Sequence, residues 1–299
     1  MSVGIPEALI LISEITLASY PILIKAVPTN LWTQIVSRMG VYGLMAFGGM
    51  LILGTRDQKE LASVSPSNLA GGGLLNLLHI ATSYKAFSEL PAGNAMAIFY
   101  AYPVWNLLGA WLLLGETIPT SSMPWVLLAV VGMLMVANPN LNTLLTMEKP
   151  FATLCAVLSG MTESAIYFFF KLMGKEQEGT FKGMFELYGG SFLWLLPVLL
   201  GSSAGITPLA GIESPTLDLS WKVWAPMIAF NVFVGFTGYA MRFAAIPMVS
   251  TMIFSTLNFA GIVAAYLFGY LFQGEKPSWT AAGGAFAIIV ANAALLSKT

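Results

Sequence analysis

Runs of about 20 mainly apolar residues recur along this chain, each closed by a short polar or glycine- and proline-rich break, and 20 residues is the helix length that spans the hydrocarbon core of a bilayer. Read with that ruler, the sequence predicts ten helices near 4–26, 30–53, 68–90, 92–114, 124–139, 151–173, 181–203, 221–246, 249–272 and 279–297. The fifth is short for a full span. The breaks suit water and headgroups: GTRDQKELASVSPSN (54–68) and GKEQEGTFK (174–182) are charged, and 201–220 is rich in Gly, Ser and Pro. Only 9% of the 299 residues are charged and 57% are hydrophobic. Soluble domains carry about 25% charged residues, so an all-α integral membrane protein is expected.

The same numbers exclude several functions. A net charge of −1 offers no basic field for nucleic acid. One cysteine, Cys155, permits neither an internal disulfide nor a cysteine metal cluster, and one histidine, His79, cannot form HExxH. No GxxxxGK[ST] loop is present, so nucleotide hydrolysis by that route is excluded. No Lys or Arg precedes Lys25 and Glu14 interrupts the first apolar run, which predicts a retained first helix rather than a cleaved signal peptide. Arg56, Lys59, Lys175, Lys182 and Lys298 fall on the side of the N-terminus, and Lys149, Lys222 and Lys276 on the other. That bias predicts both termini in the cytoplasm.

Two landmarks suggest an internal duplication. Residues 16–25 (TLASYPILIK) and 162–171 (TESAIYFFFK) both begin with Thr and end with Lys. FSELPAGNAMAIFY…LLLGE (87–116) recurs loosely as FAAIPMVSTMIFST…LFQGE (243–275), with Phe, Pro and Gly-Glu in the same order. The expected division is a five-helix repeat over 1–139, a linker over 140–150 and a second five-helix repeat over 151–299.

These residues carry a resemblance. Tyr84, Ala86, Phe87, Pro91, Ala92, Tyr102, Pro103 and Leu112 to Glu116 resemble the Y-x-A-F…PA…YP…LLLGE pattern of the EamA-like members of the drug/metabolite transporter superfamily. The second half matches less well, with Asn258 or Phe259 where family members often have proline. The resemblance implies ten transmembrane helices as two inverted repeats around a central cavity, with the fifth and tenth helices peripheral. It implies alternating access by rocking of the repeats. Solutes of such proteins include amino acids, amines, drugs, sugar phosphates and nucleotide sugars. It also implies a structural role for Glu116 and Glu275.

An ionisable side chain at mid-membrane costs about 2.5–3.5 kcal/mol on insertion scales, so it faces protein or an aqueous cavity. Glu14, Arg38, His79, Glu163 and Glu186 lie deep in their runs; Lys85, Lys171 and Arg242 lie nearer helix ends. The deep groups are expected to cluster, with Arg38 paired to Glu14 because Arg cannot discharge itself. Helical spacing adds Tyr102 with Asn106, Glu163 with Tyr167, Asn231 on the Gly235–Gly238–Arg242 side of the eighth helix, and Thr251, Ser255 and Asn258 on one side of the ninth. Tyr100 joins Tyr102 as an aromatic lining. For Ser, Thr and Asn the competing reading is interhelical glue; for His79 it is a packed core histidine against a proton relay. Lys25 and Lys171 read as snorkelling cations, and Trp32, Trp125, Trp221 and Trp224 as interface anchors. Pro21, Pro103 and Pro197 break helical hydrogen bonds. Gly71 to Gly73 and Gly283-Gly284 permit close helix approach.

The expected substrate-binding set is therefore Glu14, Arg38, His79, Tyr100, Tyr102, Asn106, Glu163, Tyr167, Asn231 and Asn258, with no catalytic residue, metal or cofactor. Acids, an arginine and tyrosines together suit a zwitterion such as an amino acid, moved by an exporter or exchanger. An anionic metabolite, held by Arg38, Lys85 and Arg242, and a membrane-embedded transferase are the alternatives. The partners are a small-molecule solute and the lipid bilayer, with a homodimer left open, and the plasma membrane is favoured over an organelle membrane.

Overall fold

The structure is a computed structural model that describes residues 4–19, 26–54, 64–90, 92–138, 149–175, 179–203, 216–274 and 278–297. Among these, every regular element is helical. The first three are α1 (Ile5–Leu17), α2 (Leu31–Gly54) and α3 (Pro66–Glu89). The next, α4, runs as Ala92–Phe99, Tyr102–Gly109 and a π-helical turn Ala110–Leu114. Then come α5 (Met123–Ala137) and α6 (Pro150–Lys175). Helix α7 joins Thr180–Met184, a π turn Phe185–Gly189 and Ser191–Ser203. Helix α8 joins Trp221–Phe230, a π turn Asn231–Phe236 and Thr237–Ala245, and a 3₁₀ turn Ile246–Met248 follows. Helix α9 comprises Thr251–Leu257 and Phe259–Gln273, and α10 spans Trp279–Leu296.

The ends are set by local chemistry. Ser65, Ser250 and Ser278 accept a backbone N–H from the first turns of α3, α9 and α10, as serine N-caps do. Gly115 and Gly274 close α4 and α9 in the left-handed region, with φ of 67° and 66°, where a side chain would be strained. Pro103 opens a new helical segment after the break at Tyr100-Ala101. The Phe99 carbonyl, the acceptor this proline frees, lies against Gly160 of α6, where an added Cβ would meet it at 3.3 Å. That carbonyl is packed rather than offered to a cavity.

Among the described residues seven stretches, in α2, α4 and α6 to α10, are long and apolar enough to cross a membrane. Helix α5 is shorter, at 15 residues, and α3 has the length but carries Asn76, His79, Ser83 and Lys85. Leucines and phenylalanines such as Leu44, Leu113, Phe233 and Phe286 face outward. A soluble protein does not expose so much contiguous apolar surface. The chain is an integral membrane protein.

Helix α1 packs on α8 and α9, and α6 packs on α3 and α4. Helix α2 lies against α7 and α8, α3 against α7, α4 against α9, and α5 against α10. Small residues bring two of these pairs to backbone contact. A Cβ on Gly284 would meet the Gly132 carbonyl at 2.6 Å, and one on Gly73 would meet the Gly190 carbonyl carbon at 2.2 Å. Gly71, expected to act with Gly73, faces open space.

Several surface expectations need correction. Trp32 is buried in a cluster with Ile35, Met39, Ile80 and Leu195, while Trp221 is exposed as an anchor would be. Lys171 does not snorkel: it is buried and donates to the Val249 carbonyl, where the turn between α8 and α9 leaves an acceptor free. Lys182, counted with the loop, is buried in α7 beside Glu186 at 3.9 Å. Tyr20, Pro21, Lys25, Arg56, Lys59, Pro91, Glu275, Lys276, Lys298 and most of the 140–150 linker lie outside the described residues.

Candidate functional site

The interior is organised around Arg242, in the last turn of α8. Gly238, one turn earlier, lets Leu17 of α1 approach so closely that a Cβ would sit 2.8 Å from the leucine. That contact brings Glu14, one turn back along α1, to the guanidinium: Arg242 Nε lies 3.5 Å from Glu14 Oε1. From α6, Glu163 Oε1 lies 2.8 Å from the terminal nitrogen of Arg242. From α4, the Tyr102 hydroxyl accepts from that nitrogen at 3.2 Å. The guanidinium also stands 5.4 Å from the ring centroids of Tyr102 and of Phe254 on α9, within cation–π range. Five helices thus meet at one cation. The far oxygen of Glu163 is 3.2 Å from His79 Nε2 on α3. Glu14, His79, Glu163 and Arg242 are all buried.

The sequence puts Arg242 near a helix end, outside the zwitterion-binding set and only in the anionic alternative. Counted along the sequence it is near an end, but α8 turns through Pro247 directly into α9, so this end lies inside the protein. The same turn corrects the proposed Arg38–Glu14 pair. Helix α1 packs on α8 and α9, and its carboxylate meets the cation of α8. The Arg38 guanidinium instead stands over Tyr239 at 4.9 Å and Tyr42 at 5.5 Å, and it donates to the Tyr188 hydroxyl oxygen. Gly235 makes this possible: a Cβ there would clash with the Tyr42 hydroxyl. These three tyrosines were absent from the sequence-based set. Tyr42 and Tyr239 each lie one turn from an arginine of the same helix, which is the signal available in the sequence.

The remaining expected residues divide. Tyr100 packs edge-on to Phe99 and tilted against Tyr102, and its hydroxyl, with Glu14 Oε2, crowds Gly261 of α9 at about 2.9 and 2.8 Å from an added Cβ. Asn106 is one turn beyond Tyr102, and Asn258 lies between Phe254 and Gly261 on α9; both are fully buried. Neither polar atom of either asparagine has a protein hydrogen-bond partner. Glu14 Oε1 and Arg242 Nε are in the same condition, because 3.5 Å is too long for a hydrogen bond between them. Tyr167 is set back: its hydroxyl donates to Thr251 at 2.7 Å and its ring stacks on Phe254, which separates it from Arg242. Asn231 donates to Ser37 at 2.9 Å and lines a cavity of about 420 Å³ together with Gln34, Ser37, Tyr84, Lys222 and Pro226. Ser37, which precedes Arg38, is among its lining residues.

Glu186, expected among the clustered acids, stands apart from Arg242. It accepts the Ser65 backbone N–H at 2.7 Å and faces Lys182 at the beginning of α7. Asn76 is interhelical glue, donating to Ser191 at 2.8 Å. Glu116 accepts the Thr251 N–H at 3.1 Å and so caps the first turn of α9. Among the described residues no three His, Cys, Asp or Glu side chains are grouped to hold a metal ion.

A helical membrane protein that buries charges from five helices around an interior has the makings of a solute pathway rather than of a purely structural bundle. Residues 4–138 match the EamA-like transporter family. The first half of this chain is thus EamA-like, and the likeness to the drug/metabolite transporter superfamily is a finding. Two curated relatives are the pseudopaline exporters CntI of Pseudomonas aeruginosa strains UCBPP-PA14 and PAO1. They are 25% and 24% identical over 224 residues, which cover 75% of this chain and 72% of each relative. A protein of known crystal structure shares the fold across the full length of both chains, with a TM-score of 0.72 at 14% identity. Family and relatives point to a membrane transporter.

Proposed function

We propose that this protein is a secondary transporter, an exporter or exchanger, that moves a small zwitterion of the amino-acid type by alternating access. The observation that carries the reading is the loose Glu14–Arg242 pair. A buried carboxylate and a buried guanidinium stand 3.5 Å apart, each with an unsatisfied atom turned toward the other. A solute carboxylate taking Arg242 Nε and a solute ammonium taking Glu14 Oε1 would satisfy both. Asn106 and Asn258 hold further donors and acceptors for a polar side group. Glu14 and Glu163 balance Arg38 and Arg242, so these four side chains call for no net charge on the solute.

The mechanism we attach to this site is rocking of two inverted five-helix repeats, 1–139 and 151–299. Supporting it, the helix contacts keep their pattern when each helix is exchanged for the one five places away. The α1–α8 contact becomes α6–α3, α1–α9 becomes α6–α4, and α2–α8 becomes α7–α3. The duplicated segments agree in detail as well. Helix α4 breaks at Tyr100-Ala101 and α9 at Asn258, and both helices end on a left-handed glycine whose N–H returns to the carbonyl five residues back. Five crossings per repeat, an odd number, would place the second repeat upside down. Outward transport across the plasma membrane is the direction suggested by the exporter relatives.

The test is counterflow in proteoliposomes loaded in turn with L-amino acids, amines, sugar phosphates and nucleotide sugars. Saturable exchange of one or more zwitterions is expected. Exchange confined to phosphorylated solutes would overturn the zwitterion reading in favour of an anion site on Arg242 and Arg38, with Lys222 at the cavity. No exchange of any solute by folded protein would overturn the transport reading itself.

A further inference from the structure

The hydrogen-bond geometry around His79 does not close with an ionised Glu163 and a neutral imidazole. His79 Nδ1 is 3.2 Å from the Ser159 carbonyl, which can only accept. It is also 3.2 Å from the Thr162 hydroxyl oxygen, whose one hydrogen is directed to Leu158 O at 2.8 Å or Ser159 O at 3.0 Å. Nδ1 therefore faces two acceptors and must carry a hydrogen. On the other side of the ring, Nε2 faces Glu163 Oε2 at 3.2 Å. A neutral ring protonated at Nδ1 would turn a bare lone pair toward a carboxylate oxygen in a buried site, a contact that costs free energy on both atoms.

We infer that the His79–Glu163 pair is a proton-binding site, which takes one proton from water beyond those of a neutral histidine and an ionised glutamate. The proton forms an N–H bond at Nε2, or an O–H bond at Glu163 Oε2 that donates to Nε2. On release the same bond breaks and its electron pair returns to that atom; nothing is oxidised or reduced. The groups facing the pair come from every helix around it. These are Glu14 from α1, Arg38 from α2, Tyr100 and Tyr102 from α4, Tyr188 from α7, and Arg242 from α8. Phe99 packs against the imidazole itself.

The location gives the proton a consequence. Glu163 uses one oxygen for His79 and the other for Arg242 at 2.8 Å. A solute group that draws Arg242 away from Glu163 changes the charge that the proton meets, and loading the proton changes the hold of Glu163 on Arg242. With the proton bound, Glu14, Glu163, Arg38, Arg242 and His79 together sum to +1; without it they sum to zero. Solute movement and proton movement are thereby coupled. The coupling rests on the transport reading above, whereas the bound proton does not.

Because His79 is the only histidine in the chain, uniform ¹⁵N-histidine labelling reports it alone. In the full-length protein in nanodiscs near neutral pH, the expected spectrum has either both ring nitrogens protonated, or Nδ1 protonated with Nε2 shifted by a carboxylic proton donated from Glu163. An unprotonated Nδ1, or an Nε2 with a free lone pair, would overturn the proposal whatever the transport assays give. Thr162→Val separates the donor assignments without touching the carboxylate. Unchanged ring shifts are expected, and a change of tautomer would mean that the threonine donates to Nδ1 and that no extra proton is needed. If Glu163→Gln folds, its ring should be neutral: one ring proton fewer than wild type where the wild-type proton sits on Nε2, and loss of the wild-type Nε2 shift where that proton sits on Glu163. For the coupling, a pH dye inside proteoliposomes should record solute-driven proton movement for whichever solute of the panel exchanges. Exchange with no proton movement would overturn the coupling and leave the bound proton standing on the spectrum.

Discussion

The seam between α5 and α10 and the interior between α1, α6 and α8 are equally buried and made of opposite materials. At the seam Gly132 and Gly284 bring backbone to backbone, and Ala129, Met133, Ile288 and Ala291 fill the remaining space without a single charge. In the interior two carboxylates surround one guanidinium, and polar atoms of Glu14, Arg242, Asn106 and Asn258 are left without protein partners. A seam of small residues gains dispersion contact along its length and has one arrangement. An ionic cluster in low dielectric is close to break-even, and unsatisfied groups make it receptive to something else. The first is suited to stay closed and, on the transport reading proposed above, the second to exchange partners.

The difference can be broken by mutation, and the largest effect should come from Arg242→Met. It strands Glu14 and Glu163 beside each other without their shared cation, a loss on the order of 3–5 kcal/mol for a broken buried pair. Lower yield of folded protein and no measurable flux are expected. Gly284→Leu should follow, costing about 1–3 kcal/mol because the helices must part to admit the side chain. Its distinguishing mark is that flux per folded molecule should be retained, since the seam carries no solute. Glu163→Gln should lower flux at least tenfold, equivalent to about 1.4 kcal/mol in the transport barrier, compared with wild type at equal amounts of folded protein. The smallest change is expected from Tyr167→Phe, which removes a hydroxyl bonded to Thr251. It should cost about 0.5–1.5 kcal/mol of stability and leave flux within roughly twofold, because Phe254 shields that hydroxyl from Arg242.

The sequence was most legible where lipid dictates it. The expected helices over 221–246 and 279–297 are found as Trp221–Phe230 with its continuation to Ala245 and as Trp279–Leu296, because an apolar run must end where the membrane ends. Glu163 and His79 were legible as buried groups for the same reason, that neither tolerates lipid, but not as each other's partner. Depth counted along the chain was misleading for Arg242, since a helix end can lie inside the protein when the next helix starts within six residues of it. Pairing was misleading for Arg38, because neighbours in sequence are not neighbours across an interior where α1 packs on α8. Tyr42 and Tyr239 carried one weak signal, an arginine one turn away on the same helix, and Tyr188 none; the placing of Tyr42 depends on Gly235 bringing α2 and α8 together.

Glu14 is the residue on which the account turns, since it alone is asked to hold the solute ammonium while standing too far from Arg242 to bond it. The direct measurement is the counterflow rate of the best zwitterion by Glu14→Gln protein, reconstituted beside wild type at equal amounts of folded protein. The amide keeps the size of the side chain and removes its charge. A loss of at least tenfold, with thermal stability held because Glu163 still grips Arg242 at 2.8 Å, is the predicted result. An unchanged rate would mean that the solute does not pass through the Glu14–Arg242 pair, and the interior charges would then be structural.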